Sequence, residues 1–175
     1  GFDSAPQSPI SEEFSIPKET ENLQTPLIVC DYNESSGFIL DIKERRVCAI
    51  VSKKARQIEF DQEITAGTCL NNWIIFSGES GFVVYDLADG TTKSIENKIC
   101  PCVCIKADPL TPSSTFLALN TKNELYVVRF DGDEFTEKRI CENSKINEFD
   151  VSSMLLITNV SKNKFEIRDR SESNF

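Results

Sequence analysis

Histidine is absent from this 175-residue sequence, and that absence excludes a large part of enzyme chemistry. Without an imidazole there is no Ser-His-Asp triad, no Cys-His nucleophile and no histidine proton relay. Glycine-rich phosphate loops are missing too, since neither G-x-G-x-x-G nor G-x-x-x-x-G-K-[ST] occurs. No apolar run approaches the roughly 18 residues of a membrane span, and no charged-then-apolar leader opens the chain. Basic residues are also short: 19 against 28 acidic ones give a formal charge of −9 and a pI of about 4.6. That balance opposes nucleic-acid binding driven by overall charge. The expectation is a soluble, noncatalytic protein with no cofactor and no membrane partner.

Cysteine is present seven times, at irregular positions: Cys30, Cys48, Cys69, Cys100, Cys102, Cys104 and Cys141. An odd number, mostly inside apolar runs, reads as buried reduced thiols and so as a cytoplasmic or nuclear protein. Cys100-Pro101-Cys102-Val103-Cys104 is the most unusual string. On an extended strand its three thiols would share one face about 7 Å apart. A structural zinc site needs four ligands, and with no histidine and no second close cysteine pair no metal is expected. The acidic pairs Glu12-Glu13 and Asp133-Glu134 fall in expected loops and read as solvated charge. The glycosylation patterns Asn33-Glu34-Ser35 and Asn159-Val160-Ser161 read as chance matches in a reduced compartment.

The chain divides at Pro26. Residues 1–26 carry Pro6, Pro9, Pro17 and Pro26 among Ser, Glu, Thr and Gln, too little apolar surface to offset the entropy of ordering, so they read as a flexible arm. Ser8-Pro9 and Thr25-Pro26 fit proline-directed phosphorylation, although such pairs are common in disordered tails. Phe14 and Ile16 would let part of the arm add a strand to a sheet edge. Residues 27–170 are short runs of Val, Ile, Leu, Phe, Tyr and Thr broken by turn signals, without helical periodicity. Residues 171–175 form a short tail.

Ten runs are clear: Leu27 to Cys30, Gly37 to Ile42, Val47 to Val51, Trp73 to Ser77, Phe82 to Leu87, Cys102 to Ala107, Thr115 to Leu119, Leu125 to Phe130, Met154 to Thr158 and Lys164 to Arg168. Weaker ones surround Ile58, Thr68, Ile95, Thr136 and Phe149. Asp89-Gly90 and Asp131-Gly132 fit tight turns, where glycine tolerates positive φ. Aligning Ser36-Gly37-Phe38 with Ser80-Gly81-Phe82, Phe82-Val83-Val84 with Leu125-Tyr126-Val127, and Leu125-Tyr126-Val127 with Phe165-Glu166-Ile167 repeats one strand-turn-strand unit at about 40 to 45 residues. That is the length of a four-stranded propeller blade, with the paired strong runs as its central strands. Trp73-Ile74-Ile75-Phe76, Phe82-Val83-Val84-Tyr85 and Met154-Leu155-Leu156-Ile157 are continuously apolar, as strands covered on both faces are. Thr91 to Glu96 and Phe135 to Ile140 are more polar, as outermost strands should be.

With Tyr85-Asp86-Leu87 where a Trp-Asp dipeptide would close a third strand, and Leu40-Asp41 and Arg168-Asp169 as fainter echoes, the chain resembles the WD40-like β-propeller family. The resemblance implies an all-β array of about three to four four-stranded antiparallel blades serving as a protein-interaction scaffold or adaptor subunit. The 149 residues after the arm make roughly three and a half blades at about 43 residues each, short of a usual ring of four to eight. A protein partner donating a strand or a blade is one expected remedy, beside self-association, a continuation of the same polypeptide beyond these residues, and a compact four-bladed closure that uses the arm.

Lys43, Arg45, Arg46, Lys53, Lys54 and Arg56 place six basic residues within fourteen positions. With Lys43 to Arg46 as a hairpin turn, they fall at opposite ends of the strand Val47 to Val51, as two patches. A solvated surface accounts for them. As a docking site they would take an acidic peptide, a phosphorylated partner or RNA, because arginine pairs bidentately with carboxylate and phosphate. The second function class is therefore an accessory nucleic-acid-binding subunit, and the third an enzyme fragment whose active residues lie elsewhere.

Overall fold

Runs apolar on both faces need a covering layer on each side, and stacked sheets supply it. A computed structural model describes residues 28–41, 46–51 and 54–171, with the side chains of 28, 29 and 46–51 left aside. It contains strands and turns and no helix among those residues. Sheet A is β1 (Ile28–Tyr32), β2 (Ser36–Asp41), β3 (Arg46–Val51) and β4 (Lys54–Glu59). Sheet B is β5 (Ala66–Cys69), β6 (Trp73–Ser77), β7 (Gly81–Asp86) and β8 (Thr92–Glu96). Sheet C is β9 (Cys102–Ala107), β10 (Thr115–Asn120), β11 (Leu125–Phe130) and β12 (Phe135–Ile140). Sheet D has three strands, β13 (Glu148–Val151), β14 (Leu155–Ser161) and β15 (Lys164–Asp169). Every sheet is an antiparallel meander in chain order, the arrangement of a propeller blade. Among the described residues the sheets stack as an array that does not close.

The innermost strands line up, with β1 against β5 and β5 against β9. Three apolar cores fill the spaces between sheets. Phe38, Leu40, Ile74 and Phe76 lie between A and B. Ile75, Phe82, Phe116 and Phe130 lie between B and C. Leu117, Leu125, Ile140 and Leu156 lie between C and D. Strand β6 shows the division: Ile74 and Phe76 point into one core and Ile75 into the other, all at 0% exposure. Trp73 is half-buried, with its ring edge-on to Phe130 at 4.9 Å, so the apolar opening of β6 also joins sheet B to sheet C.

Local chemistry fixes the turns. Gly90 and Gly132 hold φ of 72° and 99°, where an L side chain is disfavoured. The Asp131 carboxylate accepts from the amides of Asp133 and Glu134 at 2.8 and 2.7 Å. Asn33 closes the β1–β2 turn by accepting from Ser35 and Ser36, both at 3.0 Å, and donates to the Leu70 carbonyl of sheet B.

Two sequence expectations need correction. The run Gly37 to Ile42 was aligned with Phe82 to Leu87, but it forms β2, which corresponds to β6, while Phe82 to Leu87 forms β7. Consequently β1, where the run Leu27 to Cys30 was expected as a central strand, is Ile28–Tyr32 and the innermost strand of its sheet. The error has a physical source: successive hairpins share the Ser-Gly-Phe start, and a one-strand slip keeps the local pattern. The second correction concerns the cysteine string. Cys100 precedes β9, and a register shift opposite Leu119 and Asn120 interrupts the alternation. Cys102 therefore enters the core between B and C, while Cys104 packs against the core between C and D.

Candidate interaction surface

Polar side chains on the inner strands tie the blades together. The Asp31 carboxylate of β1 accepts from the Thr68 hydroxyl at 3.0 Å and from the Cys69 amide at 2.9 Å, both on β5. The same Thr68 oxygen accepts from the Ala107 amide of β9 at 2.8 Å. One fully buried threonine thus connects three sheets. Lys106 of β9 carries the connection on, donating to the Phe149 carbonyl and the Asp150 carboxylate of β13, each at 3.2 Å. Beyond β15, Arg170 grips Asp108 with two bonds of 2.8 and 2.7 Å. The side chains of that pair are 4% and 6% exposed, and it anchors the end of sheet D to sheet C.

These inner strands border a cavity of about 380 Å³ lined by residues that include Cys30, Asp31, Cys69, Cys104, Lys106 and Val151. Two of its thiols, Cys69 and Cys104, are poor nucleophiles. Burial, reinforced by the nearby Asp31 carboxylate, pushes the Cys69 thiol up to about 12, and burial also raises Cys104. Cys102 is raised by its hydrogen bond with the Cys100 thiol and by burial. Thiolates carry cysteine chemistry, so raised thiols are suited to packing rather than attack. Among the described residues no group of three His, Cys, Asp or Glu side chains is placed to hold a metal ion. No described helix is long and apolar enough to cross a membrane.

The outward face of sheet D is the anomaly. Sheets A, B and C each turn an apolar face toward the next sheet, where it is buried. Sheet D turns Leu156 and Thr158 toward C, and its alternate residues face away. Those alternate positions include Leu155, Ile157, Phe165 and Ile167, exposed at 40%, 37%, 63% and 67%. Ile157 sits directly opposite Ile167 in the register. Met154, at the start of β14, is 67% exposed beside them. Acidic Glu148, Asp150 and Asp169 flank this patch on the same face. A contiguous apolar patch bordered by charge is of the kind found where another protein layer packs.

The basic cluster is spread out. Lys43, Arg45 and Lys53 lie outside the described residues. Arg46 opens β3 opposite Asp41 and Glu59, while Lys54 opens β4 opposite Val51, at the other end of β3. Lys54 and Arg56 are exposed. The Arg56 guanidinium reaches the Asp89-Gly90 turn of sheet B, where a Cβ on Gly90 would collide with it. Sequence reasoning missed the outward face of sheet D. Its signals were the alternation of Phe165 and Ile167 with Glu166 and Arg168, which looks like that of any half-buried strand, and the run Met154 to Ile157, which reads as covered on both faces but leaves Met154, Leu155 and Ile157 exposed on one.

No family model matches the sequence, and no curated protein matches it. Solved structures match in shape. The β-propeller domain of Cps50 (Swd1) from Myceliophteria thermophila aligns with 82% of this chain and 51% of its own length, at a TM-score of 0.61 and 10% identity. BBS1N, solved in complex with ARL6DN, aligns with 81% of this chain and 50% of its own, at a TM-score of 0.57 and 8% identity. The chain thus spans about half the length of the structures it matches, and at this identity the likeness establishes the β-propeller fold alone.

Proposed function

We propose that this chain is a noncatalytic protein-interaction subunit, a WD40-like scaffold or adaptor within an intracellular assembly. One observation carries the reading: the outward face of sheet D leaves Leu155, Ile157, Phe165 and Ile167 exposed, where the equivalent face of every other sheet is covered by a blade. The partner is a protein that lays a β-sheet of its own on that face. The raised thiols and the missing histidine fit a binding role better than a catalytic one. Similarity in fold to propellers such as BBS1N, whose structure holds a protein partner, points the same way.

The test is affinity purification of the full chain with mass spectrometry, repeated with Ile157→Asp/Ile167→Asp. The reading expects a reproducible partner set that the double variant loses while its thermal midpoint stays close to wild type, because both residues are exposed. A partner set unchanged by the variant rejects this face as the interaction surface. Turnover of a small-molecule substrate by the isolated chain would reject the noncatalytic reading.

A further inference from the structure

Among the described residues sheet D has three strands where A, B and C have four, so within them the outer edge of β15 lacks the neighbour that β3, β7 and β11 have. An unpaired edge strand with exposed apolar side chains is a template for another strand. The outer strands of this array also contact one another between sheets. Lys93 of β8 reaches Asp133 beside β12 at 3.6 Å, and Asn97 just after β8 donates to Glu137 of β12 at 3.3 Å. On the other side of β12, a cavity of about 310 Å³ is lined by the end of β12, the residues after it and Arg168 of β15. Its lining carries Lys138 and Arg139 from β12 and Arg168 from β15 beside Glu142, with the terminal nitrogens of Arg139 and Arg168 paired to Glu124 at 3.2 Å and Glu166 at 2.9 Å. The Nε–H groups of Arg139 and Arg168 are buried without an acceptor among the described residues.

A strand that fits this edge must present an acceptor to the side of Arg139 and Arg168 and apolar residues to the outward side. We propose that residues 11–16 of this chain, Ser-Glu-Glu-Phe-Ser-Ile, are that strand and pair antiparallel with β15. With Glu13 opposite Arg168, alternation places Phe14 opposite Ile167 and Ile16 opposite Phe165. Glu13 then faces Lys138 and Arg168, and the exposed apolar row of sheet D gains two members. Glu12 falls opposite Asp169, at the far end of the pair. The twelve residues from Ile16 to Ile28 span up to about 40 Å when extended. Strand β1 shares the central cavity with Val151 of β13, which is within the reach of that length. This inference is independent of the partner reading, since the arm completes the edge of the sheet and a partner covers its face.

Hydrogen exchange on the full chain tests the pairing at the β15 amides that point away from β14. In wild type these amides exchange about 100-fold more slowly than in Phe14→Asp/Ile16→Asp, at every chain concentration used. Arg168→Glu removes the protection, and Glu13→Arg in the same chain restores it. Fast exchange in wild type, or protection indifferent to Phe14→Asp/Ile16→Asp, overturns the proposal. Protection that rises with chain concentration assigns the edge to a second copy and overturns it equally.

Discussion

Thr68→Val removes one oxygen from the inner face of the array while keeping nearly the same shape. Thr68 is fully buried, and its hydroxyl has two partners, the Asp31 carboxylate at 3.0 Å and the Ala107 amide at 2.8 Å. Valine leaves the Ala107 N–H unpaired, a loss of about 1 to 3 kcal/mol for a buried donor. Asp31 keeps the Cys69 amide at 2.9 Å, so its share of the loss is smaller. A net destabilisation of about 2 kcal/mol corresponds to a fall of roughly 4 to 8 °C in thermal midpoint for a chain of this size. Thr68→Ser retains both bonds and gives up one methyl, worth about 0.8 kcal/mol. Trp73, the only tryptophan, stands edge-on to Phe130 between sheets B and C, so its fluorescence follows guanidinium unfolding at the joint concerned. A double-mutant cycle with Asp31→Ala should show coupling of at least about 0.5 kcal/mol. Valine as stable as wild type, or less damaging than serine, would refute the relay as a joint between blades.

Other consequences follow from the same geometry. Arg170→Met strands the buried Asp108 carboxylate and should cost about 3 to 5 kcal/mol by urea unfolding; Asp108→Leu/Arg170→Met should cost less than the single change, and equal losses would contradict the pairing. Gly67→Val places a side chain where a Cβ already meets Phe38 Cζ at 2.6 Å and Phe76 Cδ1 at 2.9 Å; overpacking of about 1 to 3 kcal/mol should appear in thermal unfolding, and a neutral result would mean that A and B are not packed as described. Cys69 gives the alkaline behaviour: its thiol is raised from 9.0 to about 12 in the fold, so above pH 9 the unfolded chain loses this proton first. Stability should then fall as pH rises from about 9 to 12, with a slope of about 1.4 kcal/mol per pH unit from this group. Cys69→Ala should flatten that slope, and an unchanged slope would contradict the assignment.

Strand identity was legible where apolar runs are closed by turn residues. Trp73–Ser77, Cys102–Ala107 and Leu125–Phe130 have the bounds that their apolar runs announce, because a run closed by turn residues has one sheet solution. The polar outer strands were weaker signals, yet the runs around Ile58, Ile95 and Thr136 are β4, β8 and β12, each carrying an apolar residue turned toward a neighbouring core. What was lost is register between sheets. The frame of sheet A slipped by one strand because hairpins in successive blades have similar turns, and nothing local separates β2 from β7. The bulge at β9 was equally invisible, since a single extra residue leaves no compositional trace. The basic cluster drew the eye through density in sequence, whereas pairing in β3 and β4 sets Arg46 and Lys54 at opposite ends of a strand. The outward face of sheet D needed the third dimension: Phe165 and Ile167 differ from buried residues only in having no sheet beyond them.

Hydroxyl-radical footprinting of the isolated chain and of its purified complex is the most direct test of the central claim. Met154, the only methionine, is 67% exposed at one end of the outward face of sheet D and is a sensitive oxidation probe. The account predicts ready labelling of Met154, Phe165 and Ile167 in the isolated chain and strong protection of all three in the complex, with Tyr32 at the other end of the array as a reference at 83% exposure. Labelling of Met154, Phe165 and Ile167 that is as strong in the complex as in the isolated chain would contradict it.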